Sequence, residues 1–175
     1  MKETPIAAEH WLFRPLGDVN RCGLSVPGYV EELLRAHAWA AHPIETGGLL
    51  LGWWDLGVPV IAYALEVKDP RATRRRWTRD EARARVALAQ ARRHGHKHVG
   101  YVGDWHSHPV NLGPSGSDLR ELRRVSRQYD QPTTLAVVRH GGVVDMRLAS
   151  AGRLTTVARL ATTSIKSPTH SGESS

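Results

Sequence analysis

The chain has 175 residues, 41% of them hydrophobic, with a formal net charge of +7. That length suits one domain with a sizeable core, and that composition excludes a disordered chain. No apolar run is long enough to span a bilayer, the N-terminus lacks a signal-peptide core, and one cysteine, Cys22, excludes both an internal disulfide and a multi-cysteine zinc site.

Residues 1–19 read as an N-terminal extension, 20–162 as the domain and 163–175 as a polar, disordered tail. Residues 27–43 predict a helix, with Pro27 at its start, Val30, Leu33, Leu34 and Ala38 at helical spacing, and Pro43 as its stop. The run GLLLGWW, bounded by glycines, predicts a buried strand over 47–54. A second strand, 59–67, follows a short turn, so the two form a hairpin. Residues 69–78 are polar and predict a loop. Residues 79–95 predict a helix capped by Gly95, and 98–108 a strand rich in valine and aromatics. Leu119, Leu122 and Val125 share one face of a helix over 117–130. Strands at 133–140 and 143–150 flank a Gly-Gly turn, and 153–163 either extends that sheet or lies against it. Hairpins with helices beside them give an α+β fold, a mixed and mostly antiparallel sheet flanked by helices.

The chemistry concentrates in GDWHSHPVNLGPSGSDL, residues 103–119. On a strand, His106 and His108 point to one face, so two imidazoles can converge on a single ion. Asp118 falls in the first turn of the next helix, and the intervening loop is long enough to bring its carboxylate to the same point. Two histidines and one carboxylate make a catalytic zinc set with the fourth position open. Each piece also has a plainer reading. Ser115 and Asp118 are spaced as a capping box, and two histidines near a strand end are ordinary polar residues. Glu45, before a double glycine and a buried strand, is either a turn residue or the base beside such a site. Asp104 and Ser107 are candidates to orient the imidazoles.

Glu45 in ETGGLLLG, then WHSHP, then PSGSD closely resemble the JAB/MPN, or JAMM, metalloprotease family, over about residues 20–150. The resemblance implies an MPN/cytidine-deaminase-like layout and one Zn2+ per chain. It makes His106, His108 and Asp118 the ligands, Glu45 the general acid/base and Ser115 the oxyanion donor. One departure stands out. The spacer from His108 to Asp118, PVNLGPSGS, is one residue shorter than is usual in that family, which predicts a tighter loop with the ligands preserved.

By the same resemblance the partner is a ubiquitin-like protein with a Gly-Gly tail, cut in deconjugation or precursor processing, as in bacterial defence operons. The alternatives are a hydrolase acting on a ubiquitin-fold sulfur-carrier protein and a metal-free MPN scaffold. A cytoplasmic enzyme without membrane contact is expected. The arginines of 71–79 and 120–127 read as solvated surface or partner steering ahead of nucleic-acid binding. Within the loop 69–78, the one candidate for a selectivity insertion, Arg74, Arg75 and Arg76 would suit an acidic modifier surface. The alternating histidines of HGHKH, 94–98, lack a carboxylate at ligand spacing and are not expected to hold a metal. Trp105 is expected to shape the pocket.

Overall fold

The computed structural model describes residues 21–94 and 99–160. The extension 1–19, the tail 163–175 and the proposed cap Gly95 lie outside them, as do four residues of HGHKH.

The chain order is β1 (Arg21–Ser25), α1 (Gly28–Ala41), β2 (Gly47–Asp55), β3 (Val58–Glu66), α2 (Glu81–Arg93), β4 (Gly100–His108), α3 (Gly116–Ser126), β5 (Thr133–Arg139), β6 (Val144–Ser150) and β7 (Arg153–Leu160). The strands close on themselves in the order β1-β3-β2-β4-β5-β6-β7. The β2–β3, β2–β4, β5–β6 and β6–β7 pairs are antiparallel, whereas β1 runs parallel to β3 and β7, and β4 parallel to β5. This is the expected α+β fold with a mixed, mostly antiparallel sheet. Residues 153–160 extend the sheet, which settles the alternative the sequence left open. Strand β1 carries no strong signal of its own in RCGLS and is recruited by its pairing with β7.

The sheet is covered on both sides, which explains the unbroken GLLL run. Leu50 packs with Leu24, Val30 and Leu34 of the α1 side and with Trp105, while Leu49 and Leu51 pack with Ala84 and Ala91 of α2. A strand buried on both faces needs no alternation. Each such leucine contributes about 1.5–3 kcal/mol of burial. Leu122 of α3 closes a third cluster with Leu135, Val137 and Ala149. The β2–β3 hairpin turns through Leu56 and Gly57, both with positive φ (48° and 79°), the geometry that matches strand twist. Helix α3 stops at Ser126, earlier than the apolar pattern suggests. There the Ser126 hydroxyl donates to the Arg123 carbonyl (3.0 Å) and accepts the Gly152 N–H (2.9 Å), tying the helix end to the β6–β7 turn.

Two irregularities set up the site. A register shift between β2 and β4 at Leu50/Leu51 puts an extra residue into β4, so Tyr101 and Asp104 meet on one side while Val102 and Trp105 enter the core. Between β3 and α2, residues 67–80 form no regular element apart from one bridge between Thr73 and Arg76. This strap lies over the end of β4. No helix among the described residues is long and apolar enough to cross a membrane.

Candidate metal centre and active site

Strand alternation puts His106 and His108 on one face of β4, and α3 begins beside them. His106 Nε2 lies 3.1 Å from His108 Nε2, and each lies 3.5 Å from an Asp118 oxygen. Four ligands at about 2.0–2.1 Å in a tetrahedron stand about 3.3–3.4 Å apart. The three atoms therefore already describe one face of such a tetrahedron. Among the described residues this is the one group of His, Cys, Asp and Glu side chains arranged to hold an ion. The donor set fits a divalent metal.

The short loop closes the triangle. His108 Nδ1 contacts the Leu112 carbonyl at 3.0 Å, which places the proton on Nδ1 and turns Nε2 inward toward His106 and Asp118. Loop residue Gly113 sits tightly against the forked Arg139–Asp145 pair: a Cβ would approach both side-chain ends to 3.1 Å, so they would have to shift by a few tenths of an ångström. Asp118 is fixed from its own helix start. Ser115 N–H donates to Asp118 Oδ2 (2.6 Å), and Asp118 N–H donates to Ser115 Oγ (3.2 Å), a reciprocal capping box. The capping and ligand readings of Asp118 are thus compatible, since its carboxylate faces the imidazoles as well. Burial opposes its ionisation, but contacts with His106, His108 and Ser115 outweigh it and hold the carboxyl well below the usual range. Asp118 in turn raises the His108 imidazole, against the effect of burial.

Glu45 approaches from the lead into β2. It is 9% exposed, and burial pushes its carboxyl up from the ordinary value; His106 and His108 pull it back in part, as does the Trp77 backbone N–H. Its position is set by its backbone. Glu45 N–H donates to the Thr73 carbonyl (2.9 Å), and on the next residue Thr46 N–H donates to Ser107 Oγ (3.0 Å). Ser107 N–H returns a bond to the Thr46 carbonyl (2.8 Å). Ser107, placed between the two histidines, therefore serves to anchor the Glu45 segment; the tautomer of His108 is set by Leu112.

Asp104 likewise is not an imidazole partner. Arg79 Nη1 donates to both of its oxygens (2.7 and 2.8 Å), and Tyr101 Oη donates to Oδ2 (2.7 Å). Although burial works against the guanidinium charge, Asp104 and Tyr101 reinforce it. This pair fastens the strap to β4 two residues ahead of His106.

Trp77, not Trp105, shapes the pocket. Trp105 is fully buried in the core, its Nε1–H bonded to the Leu65 carbonyl (3.0 Å). The Trp77 ring lies nearly parallel to His106, 14° between planes with centroids 6.4 Å apart, and its Nε1–H donates to the Val67 carbonyl (3.0 Å). The double glycine of ETGGLLLG now has a cause. A Cβ on Gly47 would stand 2.5 Å from the Trp105 carbonyl oxygen and 2.8 Å from the Trp77 ring, and one on Gly48 would collide with the Leu65 carbonyl. The small residue at 47 was thus a signal that something large packs on it, but nothing in the sequence said which residue. Glu45, Trp77, His106, His108, Ser115 and Asp118 line one open cleft of about 1590 Å³.

The family described as prokaryotic homologs of the JAB domain matches residues 27–150. This chain belongs to that family. A probable metalloprotease, y4qB, from Sinorhizobium fredii (strain NBRC 101917 / NGR234) is 30% identical over 123 residues, covering 67% of this chain and 75% of that protein. The fold is also similar to the solution structure of protein DSY2949 from Desulfitobacterium hafniense, with TM-score 0.59 and 19% identity, over 78% of this chain and 92% of that one. The match to the JAB domain spans α1 to β6, and so contains the whole cleft.

Proposed function

We propose that this JAB-domain protein is a zinc-dependent peptidase or isopeptidase that cuts after the C-terminal Gly-Gly of a ubiquitin-like protein. The observation that carries the hydrolase reading is the His106–His108–Asp118 triangle with a buried, charge-shifted Glu45 beside it. The metalloprotease relative supports the same reading. The Gly-Gly preference comes from resemblance to the JAB/MPN enzymes.

A zinc ion would be held by His106, His108 and Asp118 and would supply Lewis acidity for the hydrolysis. The residues of the chain do the rest. Glu45, kept protonatable by burial, accepts the proton of the attacking water and returns it to the departing amine. Ser115 Oγ accepts the Asp118 N–H and lies 2.7 Å from Ser117 Oγ; with Ser117 as the donor of that pair, the Ser115 proton serves a developing oxyanion. Such a donor is worth about 3 kcal/mol in the transition state. Trp77 covers His106 and limits water on that side.

The test is zinc per chain by elemental analysis, together with cleavage of ubiquitin-fold proteins extended beyond Gly-Gly. Glu45→Gln is expected to keep about one zinc while kcat falls about 10²–10⁴-fold. A wild-type protein without zinc, or full turnover in Glu45→Gln, would overturn the reading.

A further inference from the structure

Most of the charges that line the cleft cancel; Arg147, half-buried, lines it without an ion pair among the described residues, its Nη1 donating to the Met146 carbonyl (2.8 Å). Arg79 is paired with Asp104 and Glu81, Arg124 with Glu121, and Asp118 faces the imidazoles. Arg74, Arg75 and Arg76 line the same cleft, are exposed, and form no ion pair among the described residues. They occupy the tip of the strap. Thr73 and Arg76 close that tip as a bridge, with Thr73 N–H donating to the Arg76 carbonyl (2.8 Å) and Arg75 N–H to Thr73 Oγ1 (3.3 Å). Asp69 closes the base, its two oxygens accepting the Arg71 and Thr78 N–H groups (2.9 and 3.1 Å), and so is already engaged. The residues on either side of the three arginines touch the active site. Thr73 holds the Glu45 backbone, and Trp77 lies over His106. Three cations without an ion pair, of which Arg76 also donates from Nε to Thr78 Oγ1 (3.2 Å), are therefore held on a built turn at the edge of the catalytic wall.

We propose that this tip is a docking lip for an acidic segment of the polypeptide substrate. The inference rests on the reading that a polypeptide enters this cleft. Guanidinium groups recognise carboxylates through paired hydrogen bonds, and the lip offers three in succession. Exposed groups of this kind steer encounter and set preference, and salt screens them over about 8–10 Å at about 0.1–0.15 M.

The test titrates the zinc-loaded, full-length Glu45→Gln protein into labelled peptides of equal length and reads fluorescence anisotropy. The peptides are Glu-rich, Ser-rich and Lys-rich, each ending in Gly-Gly, and a single-stranded oligonucleotide of matching charge is run beside them. The Glu-rich peptide is expected to bind about tenfold more tightly than the Ser-rich one, less so as salt rises. The triple change Arg74→Glu, Arg75→Glu, Arg76→Glu removes that advantage. The same charge change at the exposed Arg85, Arg93 and Arg153, outside the cleft, leaves it intact. Equal binding of the three peptides overturns the proposal. So does equal loss in the control triple, which would make overall charge the cause, or an oligonucleotide bound as tightly as the acidic peptide. Binding is read without turnover, so the two readings fail separately. A protein that holds the acidic peptide yet cuts no Gly-Gly substrate breaks the proposed function alone. One that cuts without regard to charge breaks only the lip.

Discussion

The two walls of the cleft come from the chain in different ways. The ligand wall is one continuous stretch, from the end of β4 through the short loop to the capping box of α3. The wall carrying Glu45 is assembled from distant pieces: the lead into β2, the strap 67–80 and the single residue Ser107. In the first, periodicity and helix-start chemistry put the reactive atoms close together with little help from elsewhere. In the second, the carboxylate is held by its backbone, through Thr73 and Ser107, and by a ring that sits on Gly47. The ligand wall should therefore fail locally and completely when one residue is lost. The base wall should fail by degrees.

The largest expected effect tests the first half of that contrast. Asp118→Ala should reduce bound zinc from about one per chain to near zero by elemental analysis, while the fold persists by circular dichroism. Zinc retained in that variant would mean that the triangle is not the seat.

The next effect lies on the strap. Asp104→Asn removes the buried carboxylate partner of Arg79, with Arg79 16% and Asp104 21% exposed, and leaves it only the more exposed Glu81. Breaking such a pair costs about 3 kcal/mol, read as a drop in the urea midpoint. Zinc content should stay unchanged, because the ligands do not depend on the strap. Zinc lost with the pair would erase the distinction between the walls.

Trp77→Ala comes third. It removes a half-buried ring and the Nε1–H bond to Val67, at a cost of about 2 kcal/mol. It also uncovers Glu45 and His106, so kcat/KM should fall by about tenfold with zinc retained. Trp77→Phe keeps a ring over His106 and should recover most of the activity. Activity equal to the wild type in Trp77→Ala would show that the strap is mere covering.

The smallest effect is on pH and concerns the chelated protein. Asp118 lies below its ordinary value of 3.8, so its contribution to stability is present above that value and is lost as pH falls. His108 lies above 6.5, so its contribution is full below that value and is lost as pH rises through the folded pKa. Glu45, raised above 4.5, adds in the same direction as His108. The chelated protein should therefore melt a few degrees lower at about pH 9 than at about pH 6. Zinc, which takes the deprotonated imidazoles, should stabilise more as pH rises. A chelated protein with a flat profile would mean that the Asp118–imidazole contacts carry no weight without the metal.

The His106–His108–Asp118 triangle was legible because each of its signals is local. The i and i+2 spacing on a strand puts His106 and His108 on one face, and Ser115-x-x-Asp118 marks a helix start whatever surrounds it. The shorter spacer still brings Asp118 to the imidazoles, with Leu112 on His108 and Gly113 on the Arg139–Asp145 pair. The unbroken GLLL run likewise announced a strand covered on both faces. Glu45 could be singled out only beside the motif it resembles, since an acid before two glycines says nothing alone.

What tertiary structure decided is which side chains serve that triad. Asp104 and Ser107 sit beside the histidines in sequence, yet one went to Arg79 and Tyr101 and the other to Thr46. The reason is the register shift in β4, which turns Tyr101 and Asp104 to the same side, a displacement no alternating pattern reveals. Trp105 was the obvious pocket residue by position, but strand alternation sends it into the core. Trp77 takes the place over His106 because a polar loop, without periodicity of its own, folds onto Gly47 of another strand. Local spacing is written in the chain; contacts between distant segments form only when burial and backbone pairing bring them together.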